Sequence, residues 1–137
     1  MRKARNQWVL MGIVLLLIFG YSLTAAAGVQ HITTPEAVAL IQKNQDNPAF
    51  VILDVRTPAE FARGHIAGAQ LLDYKSNGFS EGLKRLHKAK TYLIYCRTGN
   101  RSRHALQLME KMGFESIYHL SSGITDWTSR KLPLVKK

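Results

Sequence analysis

The chain has 137 residues, a hydrophobic content of 46% and a formal net charge of +10. This length suits one domain of about 100–150 residues with a short appendage, so we expect no second domain. The single cysteine excludes an internal disulfide and any metal site built from several cysteines. The basic residues are scattered and no nucleic-acid-binding motif accompanies them, so the charge indicates a small anionic substrate or anionic lipid rather than nucleic acid.

Residues 1–27 have the order of an export signal. Three basic residues among the first five precede an apolar run over residues 8–23, and small residues lead to a cleavage point after Ala27. The alternative is an uncleaved membrane anchor, because residues 8–27 together match the ~20 mostly apolar residues of a membrane span. The basic residues stay on the cytoplasmic side in both cases. We therefore expect residues 28–137 to form a single periplasmic domain, free or anchored to the membrane.

Strands and helices alternate along this domain. A proline in the first turn predicts helices that begin at Thr34-Pro35-Glu36 and Thr57-Pro58-Ala59-Glu60. Ala105, Leu108, Met109 and Met112 share one face of a third helix, which ends at Gly113. Short runs of β-branched, aliphatic and aromatic residues predict strands at 29–32, 50–55, 69–72, 91–95 and 116–120. This alternation predicts an α/β fold, an open parallel sheet of about five strands with helices on both faces.

Cys96 follows the predicted strand 91–95 and is followed by a tight loop and a helix. Open α/β sheets bind their ligands at the carboxyl ends of strands. The free N–H groups at a helix N-terminus stabilise an anion and lower the pKa of a thiol, and Arg97 and Arg101 add positive charge nearby. The pattern therefore indicates a reactive thiolate and an anion site rather than an inert core cysteine.

Several motifs resemble those of the rhodanese family, over residues 30–135. The loop Cys96-Arg97-Thr98-Gly99-Asn100-Arg101-Ser102 is similar to the family's C-R-x-G-x-R-S loop. Upstream, D-V-R, E-F and G-H-I-x-G-A elements are found at Asp54-Val55-Arg56, Glu60-Phe61 and Gly64 to Ala69. Downstream, G-x-x-x-W and L-P elements are found at Gly123 to Trp127 and Leu132-Pro133. Together these motifs resemble a single-domain, exported rhodanese with a rhodanese-like fold.

The resemblance implies a sulfurtransferase with Cys96 as the catalytic nucleophile. Cys96 would take sulfane sulfur from thiosulfate or a similar anionic donor, carry it as a persulfide and pass it to a thiophilic acceptor. Cyanide is the usual laboratory acceptor, and an acceptor protein is a further candidate. No cofactor or metal is implied. The donor and the persulfide would be bound by Arg97, Thr98, Gly99, Asn100, Arg101 and Ser102.

The remaining motif residues are expected to be structural. Asp54 and Arg56 would support the loop in one ion-pair and hydrogen-bond network with Glu60. His65 would lie in a turn, and Trp127 would pack under the final helix. The other histidines have no metal-ligand spacing and receive no role; they are His31, His87, His104 and His119.

Two alternatives to a rhodanese enzyme remain. Related dual-specificity phosphatases use the same fold with a C-x5-R loop, whereas Arg101 gives C-x4-R here and Ser102 occupies the longer position. The shorter loop favours a sulfur atom over a phosphoryl group. A rhodanese-like binding module or persulfide carrier, without turnover of small molecules, would have the same sequence signature.

Overall fold

The computed structural model describes residues 28–136, so the predicted export segment, residues 1–27, lies outside the described part. No helix within residues 28–136 is long and apolar enough to cross a membrane. In chain order the elements are β1 (Gly28–Ile32), α1 (Thr34–Lys43), β2 (Phe50–Asp54), α2 (Pro58–Arg63), β3 (Gln70–Leu71), α3 (Phe79–Lys84), β4 (Thr91–Tyr95), α4 (Asn100–Lys111), β5 (Ser116–Leu120) and α5 (Gly123–Ser129).

The five strands form one sheet in the order β1-β5-β4-β2-β3. Every neighbouring pair is parallel, and β4 is the central strand. Because parallel strands are buried on both faces, β4 reads as a continuous apolar run. The predicted α/β class and the parallel sheet are confirmed.

Two hydrophobic cores lie on opposite faces of the sheet, because side chains alternate along a strand. Tyr92, Ile94 and Cys96 belong to one core, which α3 and α4 cover. Leu93 and Tyr95 belong to the other, which α1 and α5 cover. Helices therefore flank both faces of the sheet, as the sequence predicts, and Cys96 directly follows the strand that both cores share.

The boundaries of several elements differ from those predicted. β3 has only two residues, and β2 ends at Asp54 rather than at residue 55. The cap of α1 is Thr33 rather than Thr34, because the Glu36 carboxylate accepts hydrogen bonds from the backbone and hydroxyl of Thr33, both at 2.7 Å. Helix α3 has no sequence prediction, because its six residues are too short to show a helical period.

Candidate active site

Backbone contacts with the first turn of α5 hold the loop that follows Cys96. The carbonyl of Cys96 accepts a hydrogen bond from the Ile124 N–H at 2.9 Å, and Thr125 donates to the carbonyl of Arg97 from its N–H and its hydroxyl. A Cβ on Gly123, whose φ is +63°, would lie 2.7 Å from the Cys96 carbonyl oxygen. Only glycine allows this close approach of two backbones.

The loop enters α4 through a second glycine. Gly99 has a φ of +93°, and a Cβ there would clash with the backbone carbonyl of Ser121. This conformation turns the Gly99 N–H back toward the Cys96 Sγ, to which it donates at 3.1 Å. The sequence places a glycine here because no other residue adopts this backbone without strain.

The thiol of Cys96 lies beneath this loop, and only 1% of the residue is exposed. Besides the Gly99 N–H, the hydroxyl of Ser102 lies 3.4 Å from the sulfur as a donor. Burial alone would raise the pKa of the thiol, but hydrogen bonding by the Ser102 hydroxyl and by the backbone at Ser102, Thr98 and Gly99 lowers it below its ordinary value. The site therefore stabilises a thiolate, the nucleophilic form of cysteine.

Two histidines without a predicted role lie behind Ser102. The Nε2 of His119 is 2.8 Å from the Ser102 Oγ, and its Nδ1 is 3.0 Å from the Nδ1 of His31. Burial, the neighbouring His31 and Arg103 lower the pKa of His119 to about 4, so its ring is neutral at physiological pH. Both histidines are the penultimate residues of their strands, but only the pairing of β1 with β5 shows that they are neighbours.

Asp54, Arg56 and Glu60, for which the sequence predicts an ion-pair and hydrogen-bond network, form two separate ion pairs. The Arg56 guanidinium binds both oxygens of Asp54, the shortest contact being 2.6 Å, and donates to the carbonyl of Gly64. Both side chains of this pair are buried. Glu60, in the first turn of α2, instead points toward α4 and accepts two hydrogen bonds from Arg101, at 2.7 and 2.8 Å.

The Glu60 pair changes the expected role of Arg101. Hydrogen bonds from Arg101 hold the pKa of Glu60 well below its usual range, so this carboxylate stays ionised and neutralises the guanidinium. Arg101 is therefore committed to a protein partner, whereas Arg97 is exposed. Of the two loop arginines, Arg97 is the one free to attract a donor anion.

An open cleft of about 480 Å³ lies over the loop, and we call it the loop cleft. Its walls are formed by Thr57, Glu60, Lys75, Arg97, Thr98, Asn100 and Arg101. Four of the six predicted binding residues line this cleft, and the other two, Gly99 and Ser102, contact the sulfur below it. Lys75 is exposed and was not predicted, because it stands in a loop outside every motif.

The other predicted structural residues are buried in the described part of the chain. His65 stacks on Phe61 with ring centroids 3.6 Å apart, and its Nδ1 is 2.9 Å from the Phe61 carbonyl oxygen. Trp127 packs in the core under α5 and donates from its indole N–H to the carbonyl of Pro133. Within residues 28–136 no three His, Cys, Asp or Glu side chains are grouped so as to hold a metal ion.

Comparisons with known proteins identify the fold and the family of this domain. Residues 36–130 match the Rhodanese-like domain family. The crystal structure of a rhodanese-related protein from Thermoplasma volcanium superposes with a TM-score of 0.65 at 29% identity, covering 79% of this chain and 99% of that one.

Two curated relatives carry names that describe sulfur chemistry. A probable adenylyltransferase/sulfurtransferase of Mycobacterium tuberculosis, MoeZ, is 40% identical over 84 residues, 61% of this chain but only 21% of MoeZ. The chain therefore spans about a fifth of the length of MoeZ. The thiosulfate sulfurtransferase GlpE of Pseudomonas putida is 29% identical over 93 residues, 68% of this chain and 80% of GlpE.

Proposed function

Because the chain belongs to the rhodanese family of sulfurtransferases, we propose that it moves sulfane sulfur from thiosulfate, or a similar anionic donor, to a thiophilic acceptor through a persulfide on Cys96. The Cys96 thiolate attacks the outer sulfur of the donor. A new S–S bond forms as the S–S bond of thiosulfate breaks, and sulfite leaves with the bonding electron pair. The acceptor then attacks the outer sulfur of the persulfide, and Cys96 leaves as a thiolate.

The observation that carries this proposal is the hydrogen bonding of the Cys96 sulfur. The Gly99 N–H and the Ser102 hydroxyl donate to it, and the residue is buried in the apolar core on one face of the sheet. Donors that are fixed in place before the reaction stabilise a developing anion most strongly in a site that excludes water. They favour both the attacking thiolate and the persulfide anion that replaces it.

The charges of the loop cleft favour a small dianion as the donor. Arg97 and Lys75 are exposed cations on its walls, and its carboxylate, Glu60, is already paired with Arg101. The net field therefore attracts an anion toward the loop above Cys96. The similarity to GlpE supports thiosulfate as this donor.

A phosphatase activity receives less support from the same geometry. Phosphoryl transfer requires a guanidinium that is free to clamp the equatorial oxygens of the phosphate. Arg101, the arginine that follows the cysteine at the end of this loop, is held by two hydrogen bonds to Glu60. The shorter loop and the engaged arginine both favour sulfur transfer.

Turnover with cyanide tests the proposal and separates an enzyme from a carrier. The full chain is mixed with an excess of thiosulfate and cyanide, and thiocyanate is counted per chain, with Cys96→Ser as the inactive control. Many equivalents of thiocyanate identify an enzyme. A single equivalent, released only from protein loaded beforehand, identifies a persulfide carrier. If neither the turnover mixture nor the protein loaded beforehand releases thiocyanate, thiosulfate is refuted as the donor.

We also propose that residues 1–27 direct the domain out of the cytoplasm. The support is the order of basic, apolar and small residues in this segment. Sequencing the N-terminus of the protein from fractionated bacterial cells tests the proposal. A periplasmic chain that begins at Gly28 identifies a cleaved signal, and a membrane-bound chain that keeps residues 1–27 identifies an anchor. A full-length chain in the cytoplasm would contradict export.

A further inference from the structure

A continuous hydrogen-bond chain joins the buried sulfur of Cys96 to the protein surface. Its links are Cys96 Sγ to Ser102 Oγ at 3.4 Å, Ser102 Oγ to His119 Nε2 at 2.8 Å, and His119 Nδ1 to His31 Nδ1 at 3.0 Å. Cys96, Ser102 and His119 are each at most 3% exposed. His31 is exposed, and it lines an open cleft with Arg103 and Ser121.

The fold fixes each link of this chain. The parallel register of β1 and β5 pairs His31 with His119. The two rings therefore meet edge to face, with centroids 5.1 Å apart. Ser102 is in the first turn of α4 and is fully buried against β5. A buried polar chain of this length is costly unless each member has a hydrogen-bond partner.

The distances require that one proton lies in each link. Two ring nitrogens 3.0 Å apart form a hydrogen bond only when one of them carries the proton. The same holds between His119 Nε2 and Ser102 Oγ. A neutral histidine carries its proton on one ring nitrogen only, so the tautomer of His119 determines the direction of its bonds to Ser102 and to His31.

We propose that Ser102, His119 and His31 form a relay that carries the proton of Cys96 to solvent and holds the resulting thiolate. In the thiol state, Cys96 donates to Ser102, Ser102 donates to His119 Nε2, and His119 Nδ1 donates to His31. When the thiol ionises, each proton moves one link outward. The Ser102 hydroxyl then donates to the sulfur, His119 carries its proton on Nε2, and His31 receives a proton on Nδ1 and releases its Nε2 proton to solvent.

The electrostatics of this hydrogen-bond chain suit a neutral His119 as the proton carrier. Burial and the charges of His31 on β1 and Arg103 on α4 disfavour a cationic His119, so it passes a proton by changing tautomer rather than by staying protonated. At the inner end, Arg101 on α4 interacts electrostatically with Cys96 but is paired with Glu60, so the Gly99 N–H and the Ser102 hydroxyl are the groups that favour the thiolate. His119 and His31 are therefore positioning residues, which act on Cys96 through Ser102.

The relay solves a problem that the burial of Cys96 creates. The thiol must lose its proton before it attacks a donor, yet it has almost no contact with water through its own surface. The relay gives that proton an exit through the open cleft that His31 lines. It rests on the proposed function only in assigning the thiolate to sulfur transfer.

Nitrogen NMR of the histidine rings tests the relay without any turnover. The isotope-labelled full chain is titrated through the ionisation of Cys96, and the His119 signals are assigned from their loss in His119→Gln. The relay predicts that the protonated nitrogen of His119 changes from Nδ1 to Nε2 as Cys96 ionises, and that Cys96→Ser shows no such change. One His119 tautomer throughout the titration would overturn the relay, because a merely structural histidine keeps its proton in place.

The ultraviolet absorbance of the thiolate provides a second readout, with the same titration of Cys96→Ser subtracted. His119→Leu removes the donor to Ser102 and should make the thiol about tenfold harder to ionise, one unit of pKa. His119→Gln can still donate to Ser102 and should restore the midpoint without the tautomer change. His104 is an exposed histidine on α4, and His104→Ala is the control. Equal midpoints in His119→Leu and the unmodified chain would also overturn the relay.

Discussion

Replacement of Ser102 by alanine tests how the site ionises its cysteine. Among the contacts that lower the pKa of Cys96, the Ser102 side chain has the largest effect. A hydrogen bond to a charged group contributes ~1.5–3 kcal/mol, and the 3.4 Å contact between Oγ and Sγ is long, which favours the lower end. A loss of about 1.4 kcal/mol raises the pKa by about one unit. The thiolate fraction at pH values below the midpoint should therefore fall about tenfold.

The assay is the rate of persulfide formation from thiosulfate as a function of pH. Ser102→Ala should move the curve about one unit toward higher pH and leave the plateau at high pH unchanged, because the N–H of Gly99 still donates to the sulfur. Ser129→Ala removes an exposed hydroxyl on α5 and should leave the curve in place. A uniform loss of rate at every pH would refute the reasoning, since it would mean that Ser102 shapes the loop rather than ionising Cys96.

Three further predictions concern stability and donor binding. Folding lowers the pKa of His119 from 6.5 to about 4, so the free energy of unfolding is highest above pH 6.5 and falls as the pH is lowered toward 4. Urea titrations should show a loss of up to about 3 kcal/mol over this range, and His119→Gln should lack it. Asp54→Asn leaves the buried Arg56 charge unpaired and should lower the free energy of unfolding by ~3–5 kcal/mol in urea titrations. Glu60→Gln acts at the partly exposed pair with Arg101 and should lower it by less. Lys75→Ala should raise KM for thiosulfate about threefold with kcat unchanged, and Lys43→Ala, outside the loop cleft, should change neither.

Sequence patterns predict the scaffold well because each core strand carries its own signal. β2 and β4 are nearly continuous apolar runs, and β5 is rich in β-branched, aliphatic and aromatic residues, so all three are visible without any knowledge of their neighbours. The two-residue β3 and the six-residue α3 show no period, so their limits depend on tertiary contacts such as that between Gly82 and Leu72.

The active site also has one part that the sequence predicts and one part that it does not. The loop from Cys96 to Ser102 is contiguous, so its motif and the helix that follows indicate both the nucleophile and the bound anion. The partners that act on the loop come from distant elements, and each depends on strand order or helix orientation. Glu60 reaches Arg101 across 41 positions, and His31 reaches His119 across 88. The local sequence does not show that Glu60 neutralises Arg101, or that two histidines form a hydrogen-bond chain with Ser102.

The formation of a persulfide on Cys96 is the central claim, and intact mass measures it most directly. The full chain is incubated with thiosulfate, freed of excess donor and weighed beside Cys96→Ser, and peptide mapping locates the added atom. We predict a gain of one sulfur atom at Cys96, lost on addition of cyanide and absent from the serine variant. An unchanged mass in a folded protein whose thiol still ionises, or a sulfur that remains in Cys96→Ser, would contradict the account.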